Sequence, residues 1–263
     1  MKTKTLSCVK IIVVTLIACC VVYCFVFRYA DTDAGHQKAV ESFFGEDSFM
    51  DKPIHVLSSA KRDGYLYLCF SVDNTTNSHG IIQLQRGING RYRPLSAQYD
   101  AFPYTEGAVQ DSFMIYLSSY GVEDAPQTKY YLLASDITEN SKIQSFQLNC
   151  AYTVPEDSFE REYHVSHTIP ADSIQKLTIF SQEEFEDMFA FHSAPFYVWL
   201  ESVRSLDAAG NDITEKYLIP SAVDTVGTAS AVRGLGEPDN YKFLIASVLF
   251  VGAFYLIQCL RKQ

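Results

Sequence analysis

Hydrophobic and polar positions divide the chain into three zones. Ile11 to Phe27 is a run of 17 uncharged, mostly apolar residues, and Phe243 to Leu260 is a second of 18. Between them, apolar residues alternate with polar ones in short stretches. At about 1.5 Å per residue, the first run would extend roughly 26 Å as a helix, enough for a thin or locally thinned bilayer core. Both runs are apolar on every face and closed on their outer sides by basic residues: Lys2, Lys4 and Lys10 before the first, Arg261 and Lys262 after the second. A buried core helix would not need that pattern. It predicts transmembrane helices at 11–27 and 243–260, with residues 1–10 and 261–263 cytoplasmic and 28–220 outside.

Within the middle zone, Asp31 to Gly45 reads as a short helix with an acid near its start and a glycine stop. Strand patterns follow. Ile54–Ala60 and Tyr65–Val72 flank the turn Lys61-Arg62-Asp63-Gly64, and Gly80–Arg86 and Arg91–Tyr99 flank Asn89-Gly90. Both turns contain residues that accept positive φ at low cost, so both predict hairpins. Further strands are expected at 112–119, 129–135, 143–153, 163–168, 175–180, 196–206 and 213–219, the last two joined across Ala209-Gly210-Asn211-Asp212. Ser181-Gln-Glu-Glu184 is a capping box, and Phe185, Met188 and Phe189 then share a helix face. The expected fold is a mainly β, antiparallel sandwich-like or meander domain with one or two short helices, flanked by transmembrane helices. A propeller is the lesser alternative, because the blade-length segment 54–99 is not repeated. Residues 221–240 are small and aperiodic. They read as a flexible linker with a reach of about 25 Å.

Composition changes this picture in one respect. All 31 acidic residues lie between the two runs, with 16 of the 21 basic ones, so the intervening chain carries a net charge of −15. Such a surface repels polyanions, which excludes nucleic acid as a partner and disfavours anionic headgroups.

Cysteines raise two questions. Leu16-Ile17-Ala18-Cys19 spells a lipoprotein cleavage site, but eight more uncharged residues follow Cys19, from Cys20 to Phe27. A lipidated cysteine normally begins a polar tether, so the run is read as an uncleaved signal anchor, with lipidation at Cys19 as the alternative. Cys69 and Cys150 are the only cysteines outside the runs and their flanks. In an oxidising compartment they form a candidate disulfide, the alternative being two buried free thiols.

Other chemistry is sparse. His164 and His167 are three apart in an expected strand and point to opposite faces, which argues against a shared metal. The acids Glu156, Asp157, Glu160 and Glu162 lack calcium-loop spacing. Two S-x-x-K matches, at Ser58 and Ser173, have none of the companion motifs of a serine acyltransferase. The aromatic stretches Tyr99–Tyr104 and Phe196–Trp199 could line a groove for carbohydrate or peptide, but core and strand-surface packing is the favoured reading. No cofactor or metal ligand set emerges, and no catalytic residues are identified. The spans contain no ionisable residue and no GxxxG, so they read as anchors rather than as a conduction pathway.

The segment GIIQLQRGINGRYRPLSAQYDAFPYTEG, Gly80 to Gly107, resembles a segment of uncharacterised membrane-anchored extracytoplasmic proteins of Gram-positive bacteria. The resemblance implies a cell-surface setting and brings no activity with it. The reading is therefore a two-span protein whose acidic domain binds, senses or scaffolds a partner membrane or envelope complex. Ten residues before the first span and three after the last leave no room for a cytoplasmic signalling domain, so a signal would pass through a partner. The alternative is a cell-envelope hydrolase or transferase with a dispersed active site.

Overall fold

The computed structural model describes residues 2–44, 53–73, 76–103, 114–122, 125–136, 142–156, 159–174, 176–191, 197–216, 233–234 and 240–261. Two long helices lie at the ends, α1 (Lys2–Val26) and α4 (Asn240–Arg261). Within them, Ser7–Val26 and Tyr241–Arg261 are long and apolar enough to cross a membrane, and almost none of either is covered by protein. They pack against each other. A Cβ on Gly252 would collide with the Thr15 side chain, so the helices approach closely at that small residue. Cys8 and Cys259 lie 3.4 Å apart, sulfur to sulfur, at one end of the pair.

Helix α2 (Asp33–Phe44) follows α1. The expected hairpins are present: β1 (Ile54–Arg62) pairs with β2 (Tyr65–Asp73), and β3 (Thr76–Arg86) with β4 (Tyr92–Pro103). Asp63 and Gly64 both have positive φ, as a two-residue hairpin turn requires. With β11 (Arg233–Gly234) these strands form one sheet in the order β1-β2-β3-β4-β11. The strands β5 (Met114–Val122), β6 (Ala125–Asp136) and β9 (Lys176–Ser181) form a second sheet, β5-β6-β9. The third sheet, β10-β7-β8, is built from β7 (Ser145–Glu156), β8 (Phe159–Pro170) and β10 (Tyr197–Leu206). Every strand pair is antiparallel.

Burial explains how the sheets stack. Six consecutive residues of β2, Tyr65 to Phe70, are buried. Leu66, Leu68 and Phe70 meet Ala39, Val40 and Phe43 of α2 on one face. Tyr65, Tyr67 and Cys69 meet Tyr130, Leu132 and Leu177 of the second sheet on the other. In turn, Tyr131 and Leu133 of β6 face the third sheet and helix α3 (Gln182–Phe189), in a cluster with Phe146, Leu148, Phe185 and Phe189. The sheets at the centre are thus apolar on both sides, which is why YLYLCF and YYLL show no alternation. Each such side chain contributes about 1.5–3 kcal/mol on burial.

The antiparallel sheets, the two short helices α2 and α3 and the apolar terminal helices match expectation, whereas with the terminal helices included the described chain is mixed rather than mainly β. Among the described residues there are three sheets, not the two of a simple sandwich, and they do not repeat as blades. Helix α3 begins as its capping box predicts: the Glu184 N–H donates to Ser181 Oγ and the Ser181 N–H to the Glu184 carboxylate. The expected strand at 213–219 is not formed over the part described. Asp212 makes a single bridge to Leu206, and Thr214–Lys216 is a 3-10 turn whose Thr214 hydroxyl accepts from the Ser205 N–H. Gly45 and most of 221–240 lie outside the described residues; Arg233 and Gly234 there pair with Ala97 and Ser96 of β4.

Candidate functional site at the helix–domain junction

Several segments distant in sequence meet where α1 reaches the first sheet. The β3–β4 loop, Gly87 to Arg91, is a turn closed by the Gly90 N–H on the Gly87 carbonyl (3.0 Å) and the Gly87 N–H on the Arg91 carbonyl (2.7 Å). Gly90 has φ +73°, so this is a three-residue hairpin loop with its glycine in the left-handed position. Besides an internal bond from the Arg91 N–H to Asn89 Oδ1 (3.1 Å), the loop reaches α1 and the residues that follow it. The Ile88 N–H donates to the Tyr23 hydroxyl (2.7 Å), Asn89 Nδ2 to the Phe27 carbonyl (3.0 Å) and Arg91 Nη1 to the Arg28 carbonyl (3.1 Å). Those two carbonyls follow the last helical turn, where a helix end leaves acceptors unfilled and favours cations. Gly87 must be glycine here, because a Cβ would stand 2.7 Å from the Phe27 ring and 2.8 Å from the Tyr23 hydroxyl.

Helix α4 joins the same cluster. Tyr23 stacks on Phe27 at 4.6 Å, and Tyr241 meets Phe27 edge-on at 5.6 Å. Arg93 of β4, only 6% exposed, lies 5.4 Å from the Phe27 ring centre and 4.7 Å from that of Tyr241, with Nε donating to Gln85 Oε1 at 2.7 Å. One guanidinium therefore touches both long helices and the sheet, with its charge compensated by π faces and an amide oxygen. The exit from α1 is also tied to β4, since Tyr29 and Tyr92 exchange both backbone hydrogen bonds, at 3.2 and 2.8 Å. Asp31, just beyond, is held below its usual carboxylate range chiefly by Lys61 at 2.6 Å, with His36 at 3.2 Å adding to it.

A second cluster joins the first hairpin to α3. Arg62 Nη1 lies 2.7 Å from Glu184 Oε2 and 3.0 Å from the Ile179 carbonyl. Arg62 and the Ser181 cap together pull the Glu184 carboxyl down to about 2. Tyr130 hydrogen-bonds Asp63, and burial with that carboxylate pushes its phenol up to about 12. The arrangement ties elements together and presents no nucleophile to a cavity.

A third cluster lies on the outer face of the third sheet. His164 Nδ1 is 2.9 Å from Glu201 Oε2, and Nε2 is 3.5 Å from Glu162 Oε1. Glu201 reaches His164 across β7: His164 and Trp199 both pair with Ala151, and Glu201, two residues beyond Trp199 at the β-bulge between Leu200 and Ser202, shares its outer face. The carboxylates raise the His164 pKa, led by the Glu201 hydrogen bond. One imidazole and two carboxylates, with ligand atoms within 4.8 Å of one another, form a set able to take a divalent cation, although all three residues are exposed. His167, on the opposite face as strand geometry dictates, packs 5.4 Å from Phe189, and burial lowers its pKa.

The singled-out cysteines are not brought together. Cys69 lies between the first and second sheets and Cys150 in the cluster around α3; both are buried, and no disulfide joins them. Burial pushes the Cys150 thiol up to about 12, which makes it inert. Cys19 lies inside the continuous helix α1. The sequence reading missed the junction entirely, because its contacts join residues more than 60 positions apart. The available signal was local: arginines at 86, 91 and 93 of an acidic domain, around a glycine-rich loop with isoleucine at its tip. Comparison with protein-family models, with curated proteins and with solved structures finds no match for this chain.

Proposed function

We propose that the chain is a two-pass membrane protein, both termini cytoplasmic, that presents the domain over 28–220 outside the membrane to bind, sense or scaffold a partner membrane or envelope complex. The observation that carries this is the three-way junction at Arg93. The domain does not hang from a tether; Tyr23, Phe27 and Tyr241 fix its first sheet on the helix pair. A domain set at a fixed angle to two anchors suits docking to a neighbour, because orientation is settled before contact. The Cys8–Cys259 approach supports the paired topology, since it brings the two chain ends to one side. The basic flanks favour the cytoplasm for that side. A bacterial cell surface remains the setting that the Gly80–Gly107 resemblance implies.

Two measurements test this. First, with a protease site placed between residues 220 and 232, oxidation in native membranes should join the N- and C-terminal fragments through Cys8 and Cys259 on a denaturing gel. Fragments that separate after oxidation would reject the helix pairing. Second, cross-linking in intact membranes should recover a stoichiometric membrane partner through the domain. Recovery of the protein alone, with turnover of an envelope substrate by the purified chain, would establish the enzymatic alternative instead.

A further inference from the structure

We propose that the β3–β4 loop is itself seated in the bilayer interface, with Ile88 among the outermost acyl carbons and Arg86, Arg91 and Arg28 on the phosphates of lipid headgroups. The inference rests on the reading of α1 as a span. Depth is the first argument. The Ile88 N–H is bonded to the hydroxyl of Tyr23, a residue within the apolar segment Ser7–Val26, so the loop tip lies beside the last turn of that segment rather than above it. Ile88 is 96% exposed, the most exposed large apolar side chain among the described residues. In water that is unfavourable, and at this depth the surrounding medium is lipid.

Charge is the second argument. Segments 27–30 and 86–93 contain Arg28, Arg86, Arg91 and Arg93 and no acid, within an intervening chain whose net charge is −15. Arg28, Arg86 and Arg91 are exposed. Arg86 also lines a shallow cleft of about 290 Å³ with Gly64, Gly87, Ile88 and Gly90, where small residues leave room for a headgroup beside the guanidinium. Lipid phosphate is the ligand that guanidinium forks match and that the bilayer supplies at this level. The surrounding Tyr23, Phe27 and Tyr241 form the aromatic belt expected at a membrane–water boundary. The acidity of the domain as a whole thus conceals a basic, apolar-tipped foot.

The test places a photoreactive benzophenone side chain at single positions of the full-length protein. The host membrane is phosphatidylcholine and phosphatidylglycerol at three to one, with a traceable lipid. Position 88 should label lipid as strongly as position 14 on the exposed side of α1, and at least tenfold more than position 208 in a distant turn. An R86A/R91A double variant should lower labelling from position 88 severalfold without changing position 14. Lipid labelling from 14 but not from 88, or labelling of protein from 88, overturns this inference and leaves the span standing. Absence of lipid labelling from 14 overturns the span reading instead. Unchanged labelling from 88 in the double variant removes the arginines from the proposal.

Discussion

Two loops in this molecule share one backbone and differ in what they do with it. Gly87–Arg91 and Asp207–Asn211 each close with the fourth residue's N–H on the first carbonyl and the first N–H on the fifth carbonyl. Each sets its glycine, Gly90 or Gly210, at positive φ. In the second loop Asp207 satisfies its own turn, accepting from the Ala209 and Asn211 N–H groups at 2.9 Å and from Asn211 Nδ2. The first loop closes part of its own turn in the same way, Asn89 Oδ1 accepting from the Arg91 N–H at 3.1 Å, and also sends the Ile88 N–H, Asn89 Nδ2 and Arg91 Nη1 outward to Tyr23, Phe27 and Arg28. A turn with donors left over for another segment serves as an interface, whereas a turn whose polar side chain closes on itself is a connection. Side-chain bookkeeping distinguishes the two where backbone geometry does not.

The comparison can be broken at several points. Arg93→Ala removes two cation–π contacts and a charged hydrogen bond from a buried site, so it should destabilise the junction by about 3 kcal/mol. Thermal unfolding of the reconstituted protein measures this, and hydrogen exchange at 207–211 should stay unchanged. Gly87→Ala drives a methyl into the Phe27 ring and should cost about 2 kcal/mol; truncating Phe27 in the same chain should relieve part of it. Gly90→Ala and Gly210→Ala should cost about the same as each other, roughly 1 kcal/mol each, because the penalty is backbone handedness alone. No atom lies within 4 Å of a Cβ at 210, and only an Arg86 nitrogen, at 3.9 Å, at 90. Unequal costs would show that the backbones are not equivalent.

The smallest effect is a pH dependence confined to the second loop. Its hydrogen bonds, those from Asn211 first, hold the Asp207 carboxyl below its usual value of 3.8. A lowered folded-state pKa contributes stability above the unfolded value, and that contribution is lost as pH falls through the folded one. Protection factors at the Ala209 and Asn211 amides, taken against the intrinsic rate at each pH, should therefore fall below about pH 4. The Gly87–Arg91 loop, which has no acid, should not respond in that range.

Local rules made much of the fold legible. Asp63-Gly64 and Asn89-Gly90 announced their hairpins, Ser181–Glu184 announced α3, and unbroken apolarity announced α1 and α4. What stayed hidden depends on partners distant in sequence. Nothing in YLYLCF says that its two faces meet different layers, and nothing at 213–219 says that Thr214 satisfies Ser205 instead of continuing a ladder. His164 looked like one member of a poor metal pair because its contact with Glu201 depends on the register of two other strands, β7 and β10. The junction was invisible for the same reason, although its glycine and arginines were in plain view.

Strand β4 has a mechanical consequence. The chain leaving α1 is fastened to it at Tyr92, and Arg233–Gly234, on the way to α4, is fastened to it at Ala97 and Ser96. A force that draws the two helices apart is therefore carried across a few residues of one strand, while the second and third sheets stay outside the load path. Tension between the helices is felt first at β4.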